Sequence, residues 1–357
     1  YSFGNHVGES VTEARAKVAA LINAAPREII FTSCGTESSN AALNSTLITQ
    51  PGKRHIITTA VEHSANIKFG QMHEKRGGEV SWIPVDRAGQ IDVHELQEAI
   101  REDTAVVSVM LANNETGVVF PIEEIAAICR AKGVPFHTDA VQTAGKLKLD
   151  VKAMGVDFLS LSAHKLHAPK GIGLLYARQG VAWQPYVIGG GQESGRRGGT
   201  ENVAYIVAFG KAAELAMASL KNDVDRIRTL RNRMEDSIME RIPGVTRNGA
   251  REPRLPNTSN LNFADCEAEA ILLLLDREGI CASSGSACTT GSLAPSHVLI
   301  AMGVPPEHAL SSVRLSLSKY STAAEVDHLL DTLPAIIKKL REASPKTSRV
   351  ATQKISQ

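Results

Sequence analysis

The sequence has few aromatic side chains and almost no excess charge. Only 4% of its 357 residues are aromatic, and 39 Lys and Arg residues balance 38 Asp and Glu residues, for a formal net charge of +1. Surfaces that bind nucleic acid or an anionic membrane carry marked positive charge, and surfaces that stack on bases carry aromatic rings. We therefore expect neither nucleic acid nor a membrane as a partner.

Long apolar runs, a signal-peptide pattern and paired cysteines are also missing. No uninterrupted apolar run approaches the roughly 18 residues that a membrane span needs, and no signal-peptide pattern is present. The five cysteines are odd in number and form no CxxC pair, which argues against a disulfide framework and a zinc site. We expect a cytoplasmic protein with no bound metal.

Between residues 28 and 180 the sequence repeats one pattern, which is a short apolar run, a turn and an amphipathic stretch. One such stretch, 121–133, has proline in its first turn and glycine at its end, as helices often do. The alternation predicts an α/β fold with a mostly parallel seven-stranded sheet flanked by helices. The predicted strands are 28–33, 55–60, 79–85, 104–112, 134–139, 157–162 and 172–178.

After Gly198 the pattern changes to a long helical region that ends near Pro243, and a smaller set of strands and helices follows. We therefore expect a large domain with a smaller α+β domain behind it. The tail is polar and without periodicity, so we expect it to be disordered. The predicted divisions are an N-terminal segment (1–15), the large α/β domain (16–243), the small domain (244–343) and the tail (344–357).

Polar side chains follow five of the predicted strands, at the sheet edge where parallel sheets bind ligands. The stretch "SCGTES" at 33–38 fits a phosphate cradle, because free N–H groups at a helix start favour an anion. A plain helix N-cap by Ser33 or Thr36 fits equally well. The residues that follow the strands are Cys34 to Ser38, Glu62 and His63, Asn113 to Glu115, Asp139 with Gln142, and Ser162 to Lys165.

Lys165 stands where a buried strand ends, and burial there would favour its neutral, nucleophilic amine. A surface lysine is the alternative, and Lys170 is a rival that we interpret as structural. Asp139 ends an apolar strand, so it needs a salt bridge, a helix to cap, or a protonated ring nitrogen as counter-ion. Together with the phosphate cradle and His63, these residues predict pyridoxal phosphate as cofactor.

Two further residues lie in the predicted small domain. Arg314 sits within the strand "SSVRLSLS", where it would pair with a substrate carboxylate or with an internal glutamate. Cys288 lies in the Ser- and Gly-rich stretch 283–292, which indicates an exposed and reactive nucleophile. We expect Cys34 and Cys281 to pack near the site without reacting.

Four stretches, "TDAVQ", "SLSAHKLHAPKGIG", "GGGQESGRRGGTEN" and "SSGSACTTGS", resemble the pyridoxal-phosphate-dependent cysteine desulfurases over nearly the whole chain. That family belongs to fold type I, the aspartate aminotransferase superfamily. The sequence is most similar to the nitrogen-fixation (NifS-type) branch, and the housekeeping iron–sulfur-assembly branch is second. The resemblance implies a homodimeric sulfurtransferase that converts L-cysteine to L-alanine and passes sulfur, through an enzyme persulfide, to an iron–sulfur scaffold protein.

The resemblance also implies a role for each matching residue. Lys165 holds the cofactor and moves a proton, and Cys288 accepts the sulfur. His63 stacks on the cofactor ring and is a second candidate for moving the proton. Asp139 pairs with the ring nitrogen and Gln142 donates to the ring hydroxyl. The phosphate ligands are Thr36, Ser162 and His164, with Thr200 reaching the phosphate of the partner subunit. The substrate carboxylate is bound by Asn114 and Arg314.

Members of the family begin with a further segment, with a pattern like "LDNNATT", that borders the active site. The sequence starts after that pattern, inside a stretch that resembles "HSFGN". We expect a chain without the segment to depart from the family in substrate binding and dimer packing. Other activities share the lysine, aspartate and phosphate site, namely selenocysteine lyase, kynureninase-like enzyme and aminotransferase. A sulfur-trafficking scaffold without catalysis is a further alternative.

Overall fold

The structure is a computed structural model that describes residues 2–285 and 294–343. Three short 3-10 turns lie at Pro26–Glu28, Ala163–Leu166 and Gln192–Gly195. The α-helices are α1 (Ser2–Leu21), α2 (Gly35–Thr49), α3 (Ser64–Lys75), α4 (Val93–Glu98), α5 (Ile122–Lys132), α6 (Val151–Met154), α7 (Val203–Arg241), α8 (Ala268–Arg277), α9 (His297–Ala301), α10 (Pro306–Leu310) and α11 (Ala323–Ala343).

The strands of the described ranges form a seven-stranded sheet and a four-stranded sheet. The larger sheet has the order β1-β7-β6-β5-β4-β2-β3, in which β7 runs antiparallel to β1 and β6 and the other pairs are parallel. This confirms the predicted α/β fold with a mostly parallel sheet. Its strands are β1 (Ile29–Thr32), β2 (His55–Thr59), β3 (Glu79–Ile83), β4 (Thr104–Ser108), β5 (Phe136–Asp139), β6 (Phe158–Ser162) and β7 (Gly173–Ala177).

The smaller sheet is antiparallel and has the order β10-β11-β9-β8. One of its strands, β11, falls within the predicted strand "SSVRLSLS". By contrast, β8 and β10 are only three and two residues long. Strands that short carry no detectable alternation in sequence. The bounds are β8 (Val245–Arg247), β9 (Thr258–Phe263), β10 (Ser283–Ser284) and β11 (Ser312–Ser316).

Helix α5 shows why the amphipathic stretches fold as predicted. Its buried side chains, Ile122, Ile125, Ala126 and Cys129, recur at helical spacing and face the sheet. Gly133 ends the helix in the left-handed conformation at φ 66°, which glycine adopts without strain. Cys129 is a core residue, and its burial raises the pKa of its thiol to about 12.

Helix α1 packs along α7, and the predicted division between residues 15 and 16 falls inside it. Ala14 and Val18 are buried in the larger core. The two helices approach closely at Gly210, where a Cβ atom would lie 2.7 Å from the Cα of Ala14. Only glycine permits that separation, because real Cβ atoms keep a greater distance from such neighbours.

The two largest hydrophobic cores of the described residues lie one against each sheet, and two smaller clusters contain further residues of the large sheet. Residues at the end of α7, Met234 and Ile238, belong to the smaller core. Val298 and Leu299 of α9 belong to the larger core. The division at residues 243 and 244 stays a prediction, and packing crosses it in both directions.

Within the described part of the chain, α7 is long and apolar enough, by length and composition, to cross a membrane. Only 33% of its most apolar stretch is buried in the chain. A helix that packs in a protein core passes the same test, and Ile206 and Phe209 of α7 pack in the larger core. Ala212, Ala213 and Ala216 are buried there as well, whereas Val207 and Leu215 are exposed.

Candidate active site

The centre of the large sheet is fixed by a buried histidine. His137 on β5 shares hydrogen bonds of 2.8 Å with the hydroxyls of Ser108 on β4 and Ser160 on β6. Burial lowers the pKa of His137 to about 3, so the ring stays neutral. The neutral ring therefore ties three neighbouring strands together two residues before β5 ends at Asp139.

Asp139 lies at the carboxyl end of β5 with only 7% of its surface exposed. Its Oδ1 accepts a hydrogen bond of 2.9 Å from the N–H of Val141. Burial raises the pKa of this carboxyl, and the nearby His63 and Lys165 side chains oppose that rise. A buried carboxyl of this kind is suited to a cationic partner, because a nearby positive charge favours its ionised form.

Lys165 follows the neighbouring strand β6, in the 3-10 turn Ala163–Leu166. Its half-buried side chain lines a cavity of about 330 Å³. The same cavity is lined by four other predicted site residues, Asn114, Gln142, His164 and Arg314. The structure thus brings together residues from four separate segments around one lysine.

A second lysine, Lys146, lines the same cavity and was not expected from the sequence. Its ammonium donates a hydrogen bond of 2.8 Å to the carbonyl of Gln142. Burial lowers the pKa of Lys146 to about 8, and the positive charges of Lys165 and Arg314 lower it further. Lys146 therefore adds to the positive potential of the cavity. Its only sequence signal is its place after the turn that follows Asp139.

The start of α2 lies beside the ends of β5 and β6. A Cβ atom at Gly35 would stand 2.7 Å from Val141 and 3.5 Å from Ser162, so the helix starts in close contact with both. The N-cap residue is Cys34, without a side-chain hydrogen bond, so neither Ser33 nor Thr36 is the cap. First-turn N–H groups left without such a cap favour an anion.

Three predicted phosphate ligands stand at or beside this helix start. The hydroxyl of Ser162 and Nδ1 of His164 share a hydrogen bond of 2.8 Å, and burial lowers the pKa of His164. Thr36 is exposed in the first turn of α2. A neutral imidazole, two hydroxyls and a helix N-terminus are suitable donors for a phosphate group.

Arg314 and Asn114 meet on the opposite side of the cavity. Arg314 donates a hydrogen bond of 2.9 Å to the carbonyl of Asn114, rather than pairing with a glutamate. Among the described residues, Nε of Arg314 and Oδ1 of Asn114 are buried without a hydrogen-bond partner. Buried polar atoms in native structures usually have partners, so these two are suited to a polar ligand in the cavity.

Two buried glutamates flank the site and had no role in the sequence prediction. Burial raises the pKa of Glu62 to about 8 and that of Glu115 to about 7. Each follows a predicted strand, yet acidic residues are common in loops. Their burial is a property of packing that the sequence pattern does not contain.

The other predicted residues discussed next do not line this cavity or lie outside the described ranges. Nδ1 of His63 accepts the N–H of Ala65 at 3.2 Å, so His63 N-caps α3 as well as lying near Asp139. Thr200 is exposed and lines a separate cavity of about 210 Å³. Cys34 is half-buried, whereas Lys170 and Cys281 are exposed. Cys288 lies outside the described residues, as does the tail from residue 344.

The residues present fit pyridoxal phosphate. A buried carboxyl suits its ring nitrogen, a helix start with nearby hydroxyls suits its phosphate, and Lys165 suits its aldehyde. Nε of Arg314 is a spare donor for an amino acid carboxylate, and the spare Oδ1 of Asn114 can accept from a donor group of the ligand. Within residues 2–285 and 294–343, no group of three or more His, Cys, Asp or Glu residues could hold a metal ion.

Comparisons with known proteins agree with this chemistry. A family model described as Aminotransferase class-V matches residues 1–329. The chain is 54% identical over 345 residues to Cysteine desulfurase 2 of Trichormus variabilis, covering 97% of this chain and 86% of that protein. It is 47% identical over 346 residues to Cysteine desulfurase NifS of Azotobacter vinelandii, with shares of 97% and 86%. A solved structure titled NifS-like protein matches with a TM-score of 0.86 and 37% identity, over 96% of this chain and 89% of that one.

Proposed function

Because the chain belongs to the cysteine desulfurases of the aminotransferase class-V family, we propose that the cavity around Lys165 converts L-cysteine to L-alanine and passes the sulfur to Cys288. One observation carries the proposal. Lys165 lies near the buried Asp139 and shares a cavity with the Asn114–Arg314 pair. Three groups are therefore within reach of one another. Lys165 binds the cofactor, Asp139 tunes it, and the Asn114–Arg314 pair binds the substrate.

Asp139 and the helix start hold the cofactor in this proposal. Pyridoxal phosphate, when bound, supplies an electron sink for negative charge at the amino acid's Cα. Asp139 accepts the hydrogen of the ring nitrogen, and the positive charge there keeps the carboxyl ionised. Thr36, Ser162 and His164 donate to the phosphate, and Gln142 donates to the ring hydroxyl.

Arg314 and Asn114 bind the carboxylate of L-cysteine. Arg314 keeps its bond to the Asn114 carbonyl, and its buried Nε, which has no partner among the described residues, donates to the carboxylate. The positive charge of Lys146 strengthens the attraction for the carboxylate. The amine of Lys165 then takes the proton from Cα, and His63 is the second candidate for that transfer.

Cys288 receives the sulfur as a persulfide and hands it to an iron–sulfur scaffold protein. The support is its place in a Ser- and Gly-rich stretch, a composition that favours an exposed and reactive thiol. We place the protein in the nitrogen-fixation branch, which serves nitrogenase maturation. The housekeeping branch is the second candidate.

A second copy of the chain covers part of the exposed surface of α7 in this proposal. Five large apolar side chains are exposed on this helix, and Thr200 stands just before the helix begins. In the dimer, Thr200 reaches the phosphate of the partner subunit. The five exposed side chains are Tyr205, Val207, Leu215, Met217 and Met239.

The proposal is tested by giving the holoenzyme L-cysteine without any keto acid. Alanine and sulfide should form in equal amounts in the presence of a reductant. Cys288→Ala should keep the yellow colour of the bound cofactor but lose alanine release by at least about 100-fold, because the sulfur has no acceptor. Cys281→Ala, the matched control, should stay within about twofold of the unmodified enzyme.

Four results would count against this assignment. Full turnover in Cys288→Ala would remove Cys288 as the nucleophile. A strict requirement for a keto acid would indicate an aminotransferase, and activity on selenocysteine alone would indicate a selenocysteine lyase. A protein that binds no pyridoxal phosphate would favour a scaffold without catalysis.

A further inference from the structure

The first turn of α2 contains Glu37, an acidic residue beside the predicted phosphate ligand Thr36. A carboxylate in the first turn is usually drawn to the N–H groups of its own helix, which form the positive end of the helix dipole. Within the described structure, Oε2 of Glu37 instead accepts a hydrogen bond of 2.8 Å from the N–H of Ser33, which precedes the N-cap residue Cys34. This carboxylate therefore leaves the first-turn N–H groups to another anion.

Arg197 holds the Glu37 carboxylate in this orientation. Its Nε donates a hydrogen bond of 2.9 Å to Oε1, and its Nη2 donates one of 3.2 Å to Oε2. Only 11% of the Glu37 side chain and 24% of the Arg197 side chain are exposed. Burial alone would raise the pKa of Glu37, yet the hydrogen bonds from Arg197 and Ser33 lower it below its usual value. Glu37 is therefore ionised, and Arg197 neutralises its charge.

Arg197 belongs to a segment that is fixed to the edge of the large sheet, where β1 is the outermost strand. The neighbouring Arg196 donates hydrogen bonds of 2.7 and 2.9 Å to the carbonyls of Arg27 and Ile29. Nε of Arg196 also donates to the carbonyl of Glu193 at 3.1 Å. Arg197 therefore extends toward α2 from a rigid support.

The side chain of Glu193 fixes the same segment a second time. Its carboxylate accepts the N–H of Phe31 on β1 at 3.0 Å and a bidentate pair of hydrogen bonds from Arg15 at 2.6 and 2.8 Å. Glu193 and Ser194 both adopt the left-handed conformation, at φ 49° and 58°. Residues other than glycine keep that strained conformation only where the surrounding contacts impose it. The segment is thus held in one shape beside β1.

The charge of Glu37 matters because it lies in the turn that is suited to the cofactor's phosphate. A carboxylate without a partner in that turn would repel the negatively charged phosphate group. It would also be free to turn back to the N–H groups that the phosphate needs. Glu37 does neither while it is paired with Arg197.

We propose that Arg197 is a positioning residue for cofactor binding, which holds and neutralises Glu37 so that the start of α2 is open to the cofactor's phosphate. This inference rests on the part of the proposed function that places pyridoxal phosphate at this helix start. Arg197 acts through Glu37 and needs no contact with the cofactor. Its role is distinct from that of Thr200, which lines the same cavity of about 210 Å³ and contacts the partner subunit's cofactor in the proposed dimer.

The test isolates the contribution of the phosphate group to binding. The full-length chain, freed of cofactor, is titrated with pyridoxal phosphate and separately with pyridoxal, which has the same ring and aldehyde but no phosphate. The yellow absorbance of the bound aldehyde gives a dissociation constant for each ligand. The variants are Arg197→Met, Glu37→Gln and the double variant that carries both changes.

We expect Arg197→Met to weaken the binding of pyridoxal phosphate about tenfold and that of pyridoxal by less than about twofold, since only the phosphate meets the freed charge. The double variant should recover the affinity for pyridoxal phosphate to within about threefold of the unmodified protein, because the repelling charge is gone. Glu37→Gln alone should bind pyridoxal phosphate at least as tightly as the unmodified protein.

Arg178→Met is the matched control, because Arg178 and Asp157 form an equivalent pair elsewhere. Asp157 accepts the N–H of Phe136 at 2.9 Å and two hydrogen bonds from Arg178 at 2.6 and 2.8 Å. It precedes β6, whose opposite end carries the predicted phosphate ligand Ser162. This change should alter neither dissociation constant by more than about twofold.

The inference fails if Arg197→Met leaves the affinity for pyridoxal phosphate unchanged or weakens both ligands equally. A loss that the double variant does not recover would also overturn it, because the effect would then come from displacement of Thr200. Weaker binding of pyridoxal phosphate to Glu37→Gln would overturn it as well, so this conservative variant decides the matter where Arg197→Met does not fold. Failure of the proposed function has a different signature, in which the unmodified chain gains no yellow absorbance with pyridoxal phosphate.

Discussion

At the scale of single residues, the site depends on buried carboxyls that lie close to one another. Glu62 is fully buried and accepts hydrogen bonds from the N–H of Met110 at 2.7 Å and from the Asn66 amide at 2.8 Å. Burial is the main cause of its raised pKa, and the nearby Asp139 adds to it. A neutral Glu62 leaves Asp139 as the group that carries the negative charge toward the cofactor.

Replacing Glu62 with glutamine should change how stability depends on pH. The folded-state pKa of Glu62 is about 8, whereas the carboxyl in the unfolded chain titrates near 4.5. Between these values the folded chain holds the extra proton, so its stability is full below pH 4.5 and falls as the pH rises toward 8. The unmodified chain should lose about 1–2 kcal/mol more between pH 6 and pH 8 than Glu62→Gln does.

Denaturant unfolding of the cofactor-free protein at the two pH values measures this difference. The site can accommodate the glutamine. Oδ1 of Asn66 is buried without a hydrogen-bond partner in the described structure. After a flip of the Asn66 side-chain amide, this oxygen can accept a hydrogen bond from the new glutamine amide. An identical pH dependence in both proteins would show that Glu62 is already ionised in the folded chain.

At the scale of secondary-structure elements, the contact between α1 and α7 depends on one glycine. A Cβ atom at Gly210 would lie 2.7 and 2.8 Å from the Cα and Cβ of Ala14. Gly210→Val should therefore destabilise the protein by about 1–3 kcal/mol, because the helices must separate to admit the side chain.

Gly8→Ala on α1 is the matched control for Gly210→Val. A Cβ atom at Gly8 meets nothing within 4 Å, so this change should leave stability unaltered or raise it by up to about 1 kcal/mol through helix propensity. Thermal unfolding of the two variants measures both effects. Equal stability of Gly210→Val and the unmodified protein would refute the close contact between α1 and α7.

At the scale of the whole molecule, the sequence predicts the large sheet well. Each of its seven strands is a short apolar run that ends in a turn, and such a local pattern survives folding. The strand ends also predict Lys165 and Asp139 as neighbours, because parallel strands deliver their carboxyl ends to one edge.

What the sequence does not predict arises from contacts between distant segments. Glu115 and Ser296 are far apart in the chain, and nothing local marks Glu115 as buried. Lys146 is likewise an ordinary lysine until the cavity forms around it. Helix α1 contains Gly4 and Gly8, which weaken its helical signal, and it gains its stability from α7.

The central claim is that Lys165 holds the cofactor with which this protein takes sulfur from L-cysteine. The most direct measurement is the absorption spectrum of the protein loaded with pyridoxal phosphate, before and after L-cysteine is added, with alanine measured in the same sample. The unmodified protein and Lys170→Ala should show the yellow absorbance and form alanine, and Lys165→Ala should show neither. Yellow absorbance and alanine formation in Lys165→Ala would contradict the account.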